Sequence, residues 1–559
     1  MKTMTPDDWM EEITNGLEYR ETFGFEKCWP DLENDYFNHP NSAAAIGSNL
    51  IYSMGDALIS SLTVPYPEIL VEPRHPMFVD KAPIVESLDN SFIEDLKIRR
   101  EISRASLFGY LKGRCILKIG YDSEFGWNPA LDIGEKGPLG MSFSQFDDKG
   151  FRIEYANTAP GMPWVRAVNP VDIVVPWGTV DLESAPWVAH RIIRLNSDIK
   201  KDKKYKNTRY LEPDKSMEDF IESYRYFRAE YASKRYARNE YGYRYNQDCK
   251  FNELWEIHDR RTNEVIVVCK THDKFLRKDP SMVLKITGMD FVSTSFVEHP
   301  YSFWSTPLSY YLKYIQNNQY DISLQQRKQR RASLLKFIAN KDVIGEDEVE
   351  KMISGDVGAV AYASGVGDLR NVIVPAPMGS SMDLNLQSNA NKSDAREAIG
   401  YSNNQLGEFD DTSRRTAREA VIVNQGSGRR ESKRTTCITD LYLDTMFKIN
   451  QLVFNLWTVP RYTMVGRDFV QFTGYELKGH YAYNMSLSNR RMISKAERKM
   501  EALMLLPQLM QITPKEQIPQ LYKYLVDASA DSAFERILST YKPTGMSGAS
   551  QQGAPNANL

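Results

Sequence analysis

Apolar positions recur at helical spacing through residues 1–60. Trp9, Ile13, Leu17 and Tyr19 form one stripe; Ile46, Leu50, Ile51, Met54, Leu58 and Ile59 form another. The proline-rich stretch TVPYPEILVEPRHP (63–76) breaks this pattern and reads as extended chain. A charged helical stretch follows at about 83–108, and YLKGRCILKIGYD (110–122) alternates as a strand does. A glycine-rich loop covers 123–150. FRIEYAN, PWVRAVNP and VDIVVPWG (151–178) then read as short β segments, as does WVAHRIIRL (187–195). FNELWEIHDR and NEVIVVCK (251–270) predict a hairpin with Thr262 and Asn263 at its turn.

From Pro307 the texture becomes helical. Residues 308–340 predict one helix, roughly 40 Å long or more at 1.5 Å per residue. Leu308, Leu312, Ile315 and Ile322 mark one face of it, and Arg327, Lys328, Arg330 and Arg331 make a basic end. Residues 341–380 return to short β and loop texture, with an acidic run of Glu346, Asp347, Glu348 and Glu350 and apolar strands around Val372, Ile373 and Val374. Residues 381–402 predict a polar helix with few large apolar side chains, which needs packing, against copies of itself, to persist. After the loop 403–411, residues 412–458 read as a very long helix. Ile438, Leu441, Met446, Ile449, Val453 and Leu456 hold core spacing, and Gly426 and Gly428 predict a kink. A β-rich piece (461–486), Leu- and Met-rich helices (490–540) and a low-complexity tail complete the pattern.

Length adds a prior of three or four structural units for 559 residues. Hydrophobic residues at 42% and charged residues at 26% exclude wholesale disorder. The formal charge, 70 − 73 = −3, argues against a surface that grips nucleic acid everywhere, while leaving room for a local basic stripe. Cys28, Cys115, Cys249, Cys269 and Cys437 are scattered, odd in number and never spaced C-x-x-C, which favours a reducing compartment over a disulfide framework. The opening MKTMTPDDWMEEI lacks the apolar core of a secretory signal, and no apolar run reaches the ~20 residues that cross a bilayer.

The motifs of common enzyme chemistry are missing. There is no G-x-x-x-x-G-K-[ST], H-E-x-x-H or G-x-S-x-G. Gly365 and Gly367 lack the third glycine and following helix of a dinucleotide loop. The seven histidines never fall at metal-ligand spacing, and Asp147–Asp148 and Asp410–Asp411 read as solvated loop pairs. The expectation is therefore a protein without enzymatic activity, cofactor or metal. Residues 197–247 stand apart, being dense in Lys, Arg and Tyr. They read either as a single-stranded nucleic-acid surface built on stacking or as an exposed helical insertion with Arg–Glu pairs.

The order of these segments resembles the portal (head–tail connector) proteins of tailed bacteriophages, particularly the podovirus type. GYLKGRCILKIGYD is similar to that family's strand pair after its first wing helices, and VNPVDIVVPWG followed by APWVAHRIIR to its proline-and-aspartate segment. LWEIHDRRTNEVIVVC resembles the hairpin before the stem. NQLGEFDDTSRRTAREA resembles the loop and start of the long kinked helix. The likeness spans roughly 40–540; the 197–247 insertion lies outside the common pattern, and 341–380 is short for the family's clip.

The resemblance implies an α+β, mainly helical portal fold in a ring oligomer, commonly of twelve copies. Residues 1–307 would be wing, 308–340 a stem helix, 341–380 the clip and 381–402 the second stem helix. Residues 403–411 would be the tunnel loop, 412–458 the long kinked wing helix, 459–489 a wing β segment and 490–559 the crown and C-terminal tail. Gln405, Leu406, Gly407, Glu408 and Phe409 would line the DNA channel. Glu346, Asp347, Glu348 and Glu350 would dock partners, and the basic residues at 327–331 would end the stem. The implied partners are double-stranded DNA passing without sequence specificity, the terminase large subunit, tail adaptors, and the major capsid and scaffolding proteins, with no membrane. The implied location is the capsid portal vertex of a virion assembled in bacterial cytoplasm. Two alternatives are a different virion structural protein, such as a tail adaptor or capsid subunit, and a DNA-packaging enzyme.

Overall fold

A computed structural model describes residues 4–39, 47–63, 67–122, 162–202, 204–215, 250–279, 286–332, 337–339, 347, 350, 373–375, 382–400, 417–457, 460–465 and 468–486. The chain divides into a unit of 1–64 with 69–485 and a unit of 65–68 with 486–559; nearly all described residues belong to the first. The architecture is mixed α and β.

Helix α1 (Pro6–Phe23) starts at a capping box between Thr5 and Asp8, with Pro6 in its first turn. Its buried residues Trp9, Ile13, Gly16 and Tyr19 recur at helical spacing. Helices α2 (Trp29–Tyr36) and α3 (Leu50–Leu62) precede strand β1 (Glu68–Pro73). The expected charged helix at 83–108 is two helices, α4 (Ala82–Asp95) and α5 (Ile98–Lys112). They are separated at Leu96–Lys97, where Lys97 takes a left-handed φ of 53°.

The expected strand at 110–122 begins later. Tyr110, Leu111 and Lys112 complete the buried last turn of α5, Gly113 ends it, and β2 runs Cys115–Asp122. Gly113 has φ of +86°, and a Cβ there would lie 2.1 Å from the Ser305 carbonyl oxygen, so only glycine fits this exit. Strands β3 (Met162–Ala167) and β4 (Ile173–Val174) follow. Strand β5 (Trp187–Leu195) has the bounds expected of WVAHRIIRL, and the short helix α6 (Asn196–Lys201) succeeds it.

Strands β6 (Phe251–Asp259) and β7 (Glu264–Cys269) make the expected hairpin, whose turn holds Asn263 at φ 58°. With β8 (His272–Asp279) they extend an antiparallel sheet of order β4-β5-β6-β7-β8. One face carries Trp187, Ala189, Trp255, Ile257, Ile266 and Val268, packed with Trp9 and Ile13 of α1. A second antiparallel sheet, β3-β2-β9, is completed by β9 (Phe291–Thr294).

The helix expected at 308–340 is shorter: α7 spans Tyr310–Ala332. Phe337–Ala339 forms β10, which pairs antiparallel with β11 (Ile373–Pro375), so the chain leaves helix where it finds strand partners. Helix α8 (Met382–Ile399) matches the expected polar helix. Helix α9 (Ala417–Leu456) keeps helical structure without a break through Gly426 and Gly428, the positions expected to kink. Its second half buries Ile438, Leu441, Met446, Ile449 and Val453, as their spacing predicts. Strands β12 (Arg461–Val465) and β13 (Asp468–Phe472) form a hairpin. A single helical turn, α10 (Gly474–Leu477), precedes β14 (Tyr481–Ser486), which pairs with β1.

The largest core joins α2 to α5, β2, and the buried faces of α7, α8 and α9. Among the described residues, no helix is long and apolar enough to cross a membrane.

Candidate functional site

The elements expected to build a channel are α7 and α8, and they lie antiparallel in one chain. Gln319 Nε2 donates to Ser388 Oγ at 2.9 Å, and Gln326 Nε2 to Asn385 Oδ1 at 3.0 Å. This polar seam supplies the packing that the composition of α8 demanded. Within the chain its neighbour is α7.

The pair is anchored at the N-terminal end of α7. Gln316 accepts from the Leu50 amide at 2.8 Å, Ser309 Oγ donates to the Tyr110 carbonyl at 2.9 Å, and Lys313 pairs with Asp31 at 3.0 Å. At the C-terminal end of α8, Arg434 of α9 donates to the Ile399 carbonyl at 2.7 Å. Leu312, Ile322, Ala395 and Ile399 are buried. The exposed residues of α7 include the polar or aromatic Tyr311, Tyr314, Asn317, Asn318 and Asp321, and α8 exposes the aliphatic Leu386. Arg327, Lys328 and Arg330 are exposed at the C-terminal end of α7; the Arg331 side chain lies outside the described residues.

Of the acidic run, Asp347 and Glu350 are helical and exposed, whereas Glu346 and Glu348 lie outside the described residues. So do Gln405, Leu406, Gly407, Glu408 and Phe409, the second half of the 197–247 insertion, and 490–559. The structure thus places α7, the β10–β11 pair, α8 and α9 in one succession.

A second polar constellation, unforeseen in the sequence, lies between the two main sheets. Lys118 of β2 pairs with Glu256 of β6 at 2.5 Å and approaches His190 Nδ1 of β5 at 3.3 Å. His258 places Nε2 2.8 Å from Glu256 and Nδ1 3.0 Å from Asp290. The Phe291 ring borders the group, with Lys118 5.2 Å from its centroid. Burial alone would raise the Glu256 carboxyl, but Lys118 and His258 outweigh it and hold it well below the usual range. Burial would likewise lower Lys118, yet Glu256 and Asp290 raise it. Burial, reinforced by Lys118, pushes His190 down to about 3, consistent with a neutral ring accepting from the ammonium. The only sequence signal was that Glu256 and His258, two apart on a strand, share a face.

The cluster ties β2 to β5 and β6 and so joins the two main sheets. No group of three or more His, Cys, Asp or Glu side chains suited to a metal occurs among the described residues. No protein-family model matches the chain, and no curated protein matches it either.

Proposed function

We propose that the chain is the subunit of a ring-shaped phage portal, which conducts double-stranded DNA into and out of a capsid and docks the packaging motor and then the tail adaptors. The observation that carries this reading is the succession from α7 through the β10–β11 pair to α8 and the 40-residue α9. Two antiparallel helices lead out to a small β unit and back, and a long helix then returns to the main core. Such a hairpin of helices, exposed along one side, suits the wall of a channel built from many copies. The slightly acidic balance supports the same reading, because every phosphate neutralised would add salt-dependent affinity and brake sliding DNA. In this reading Gln405, Leu406, Gly407, Glu408 and Phe409 face the DNA, and the acids at 346–350 face the motor or adaptor.

Native mass measurement and electron microscopy of the purified chain test it together. The expected particle is a ring with a central opening and a mass that is an integer multiple of 64.2 kDa. A monodisperse monomer at micromolar concentration under every salt condition would overturn the reading.

A further inference from the structure

Helix α4 presents four neighbouring polar side chains to three different elements. Asn90 accepts from the Ile69 amide at 2.9 Å and donates back to the Ile69 carbonyl at 3.0 Å. Glu86 accepts from the Val71 amide at 3.0 Å, so both residues complete hydrogen bonds of strand β1. Ser87 donates to the Met464 carbonyl of β12 at 2.7 Å. Asp89 points the other way, into the contact with α9 and β14.

Asp89 is fully buried, with none of its surface exposed. Its Oδ2 accepts from Asn450 Nδ2 of α9 at 3.0 Å, and the same amide lies 3.1 Å from the Tyr483 hydroxyl of β14. Two acceptors in this small group are buried without a hydrogen-bond partner, Asp89 Oδ1 and Asn450 Oδ1. Among the described residues, no cation pairs with the carboxyl. The titratable groups around it are Glu86 on its own helix and Tyr483 from β14, while α9 contributes the neutral Asn450. A buried carboxylate with one donor, an orphaned oxygen and only acids nearby is strongly disfavoured, and a neutral carboxylic acid in that place is not.

We propose that Asp89 is held as a neutral carboxylic acid, and that its proton is the lock that keeps α4 docked on α9 and β14. The proton turns an orphaned acceptor into a donor next to an amide that offers an unfilled oxygen. The direction of the Asp89 titration agrees: burial raises it well above the ordinary carboxylate value, only partly offset by Asn450. Loss of the proton would set a bare charge beside Glu86 and loosen the joint.

The sign follows from linkage. A carboxyl whose folded value is raised contributes most at pH below its ordinary value of 3.8, and that contribution is lost as pH climbs towards the folded value. Between the two, closing of the joint weakens by up to about tenfold per pH unit.

Two measurements on the full chain test this. In amide hydrogen exchange, corrected for intrinsic rates, protection of α4 and β14 in the wild type relative to Asp89→Asn should fall by up to about tenfold per unit as pH rises from the ordinary carboxylate value towards the raised folded value. In infrared difference spectra at neutral pH, the wild type should show a protonated-carboxyl stretching band that Asp89→Asn lacks. A pH-independent protection ratio together with no such band would overturn the proposal. Should Asp89→Asn fail to fold, the band in the wild type decides alone, and its absence at neutral pH refutes the lock.

Discussion

Replacing Lys118 by Met strips the ammonium that faces Glu256 in the polar cluster between the two main sheets. The pair it breaks is tight and enclosed: Nζ and Oε1 stand 2.5 Å apart, and the side chains retain 10% and 14% of their exposure. At that separation and an effective dielectric of about 20, the gross attraction is roughly 7 kcal/mol, most of it offset by the desolvation of both ions. The net cost of leaving Glu256 without its cation is therefore about 3–5 kcal/mol, because the carboxylate stays buried with only His258 beside it. Adding Glu256→Gln removes the stranded charge, so the double variant should recover to within about 1–2 kcal/mol of wild type. Urea unfolding, with hydrogen exchange reporting β2 and β6 separately, is the appropriate assay for a chain of this size. The pH dependence has a fixed sign. The depressed Glu256 contributes stability above its ordinary value of 4.5 that is lost as pH falls through its lower folded value. This acid limb should disappear in Glu256→Gln. A Lys118→Met protein within about 0.5 kcal/mol of wild type, or strictly additive single and double variants, would refute the reasoning.

Gly113→Ala should cost roughly 3 kcal/mol or more. A left-handed φ of +86° is penalised by about 1–2 kcal/mol, and the Ser305 carbonyl 2.1 Å from the new Cβ is backbone and has little room to retreat. Thermal unfolding checks it, and an unchanged midpoint counts against the close approach. Changing Glu346, Asp347, Glu348 and Glu350 to serine should preserve the ring while weakening docking of the motor or the tail adaptor, most visibly at low ionic strength. Co-sedimentation across a salt series reads this out, and unchanged docking of both partners would assign the contact elsewhere.

Elements defined by their own periodicity were legible in the sequence. The stripe Trp9, Ile13, Tyr19 lies on the buried face of α1, because burial of one face leaves a repeating signature, and β5 has the bounds read for WVAHRIIRL. Boundaries decided by a distant group were not. Nothing within YLKGRC announces that the Ser305 carbonyl will press on Gly113 and turn helix into strand there. The contact of α8 with α7 went unread for a related reason: Gln319–Ser388 and Gln326–Asn385 are polar contacts, and these carry no periodic mark. The cluster of Lys118, His190, Glu256, His258 and Asp290 draws on three strands and the bend before β9, so no local window contains it. Of the proposed partner contacts, Asp347 and Glu350 are placed on the surface, while residues 405–409 fall outside the described chain.

The placement of α1 has a consequence in time. Arg20 donates to the carbonyls of Val171 and Ile173, and the Tyr19 hydroxyl reaches the Thr179 carbonyl and Ser302 Oγ, 283 residues further along. On the ribosome the first helix emerges long before any of these acceptors exist. At about 5–20 residues per second the wait for Ser302 is roughly 15 to 60 s, during which Trp9, Ile13 and Tyr19 have no sheet to cover. The local meander from β6 to β8 can pair as soon as it is made, since its strands follow one another within 251–279. The beginning of the chain thus waits for partners made far later, and a newborn subunit carries an exposed aromatic helix until about half of it has been synthesised.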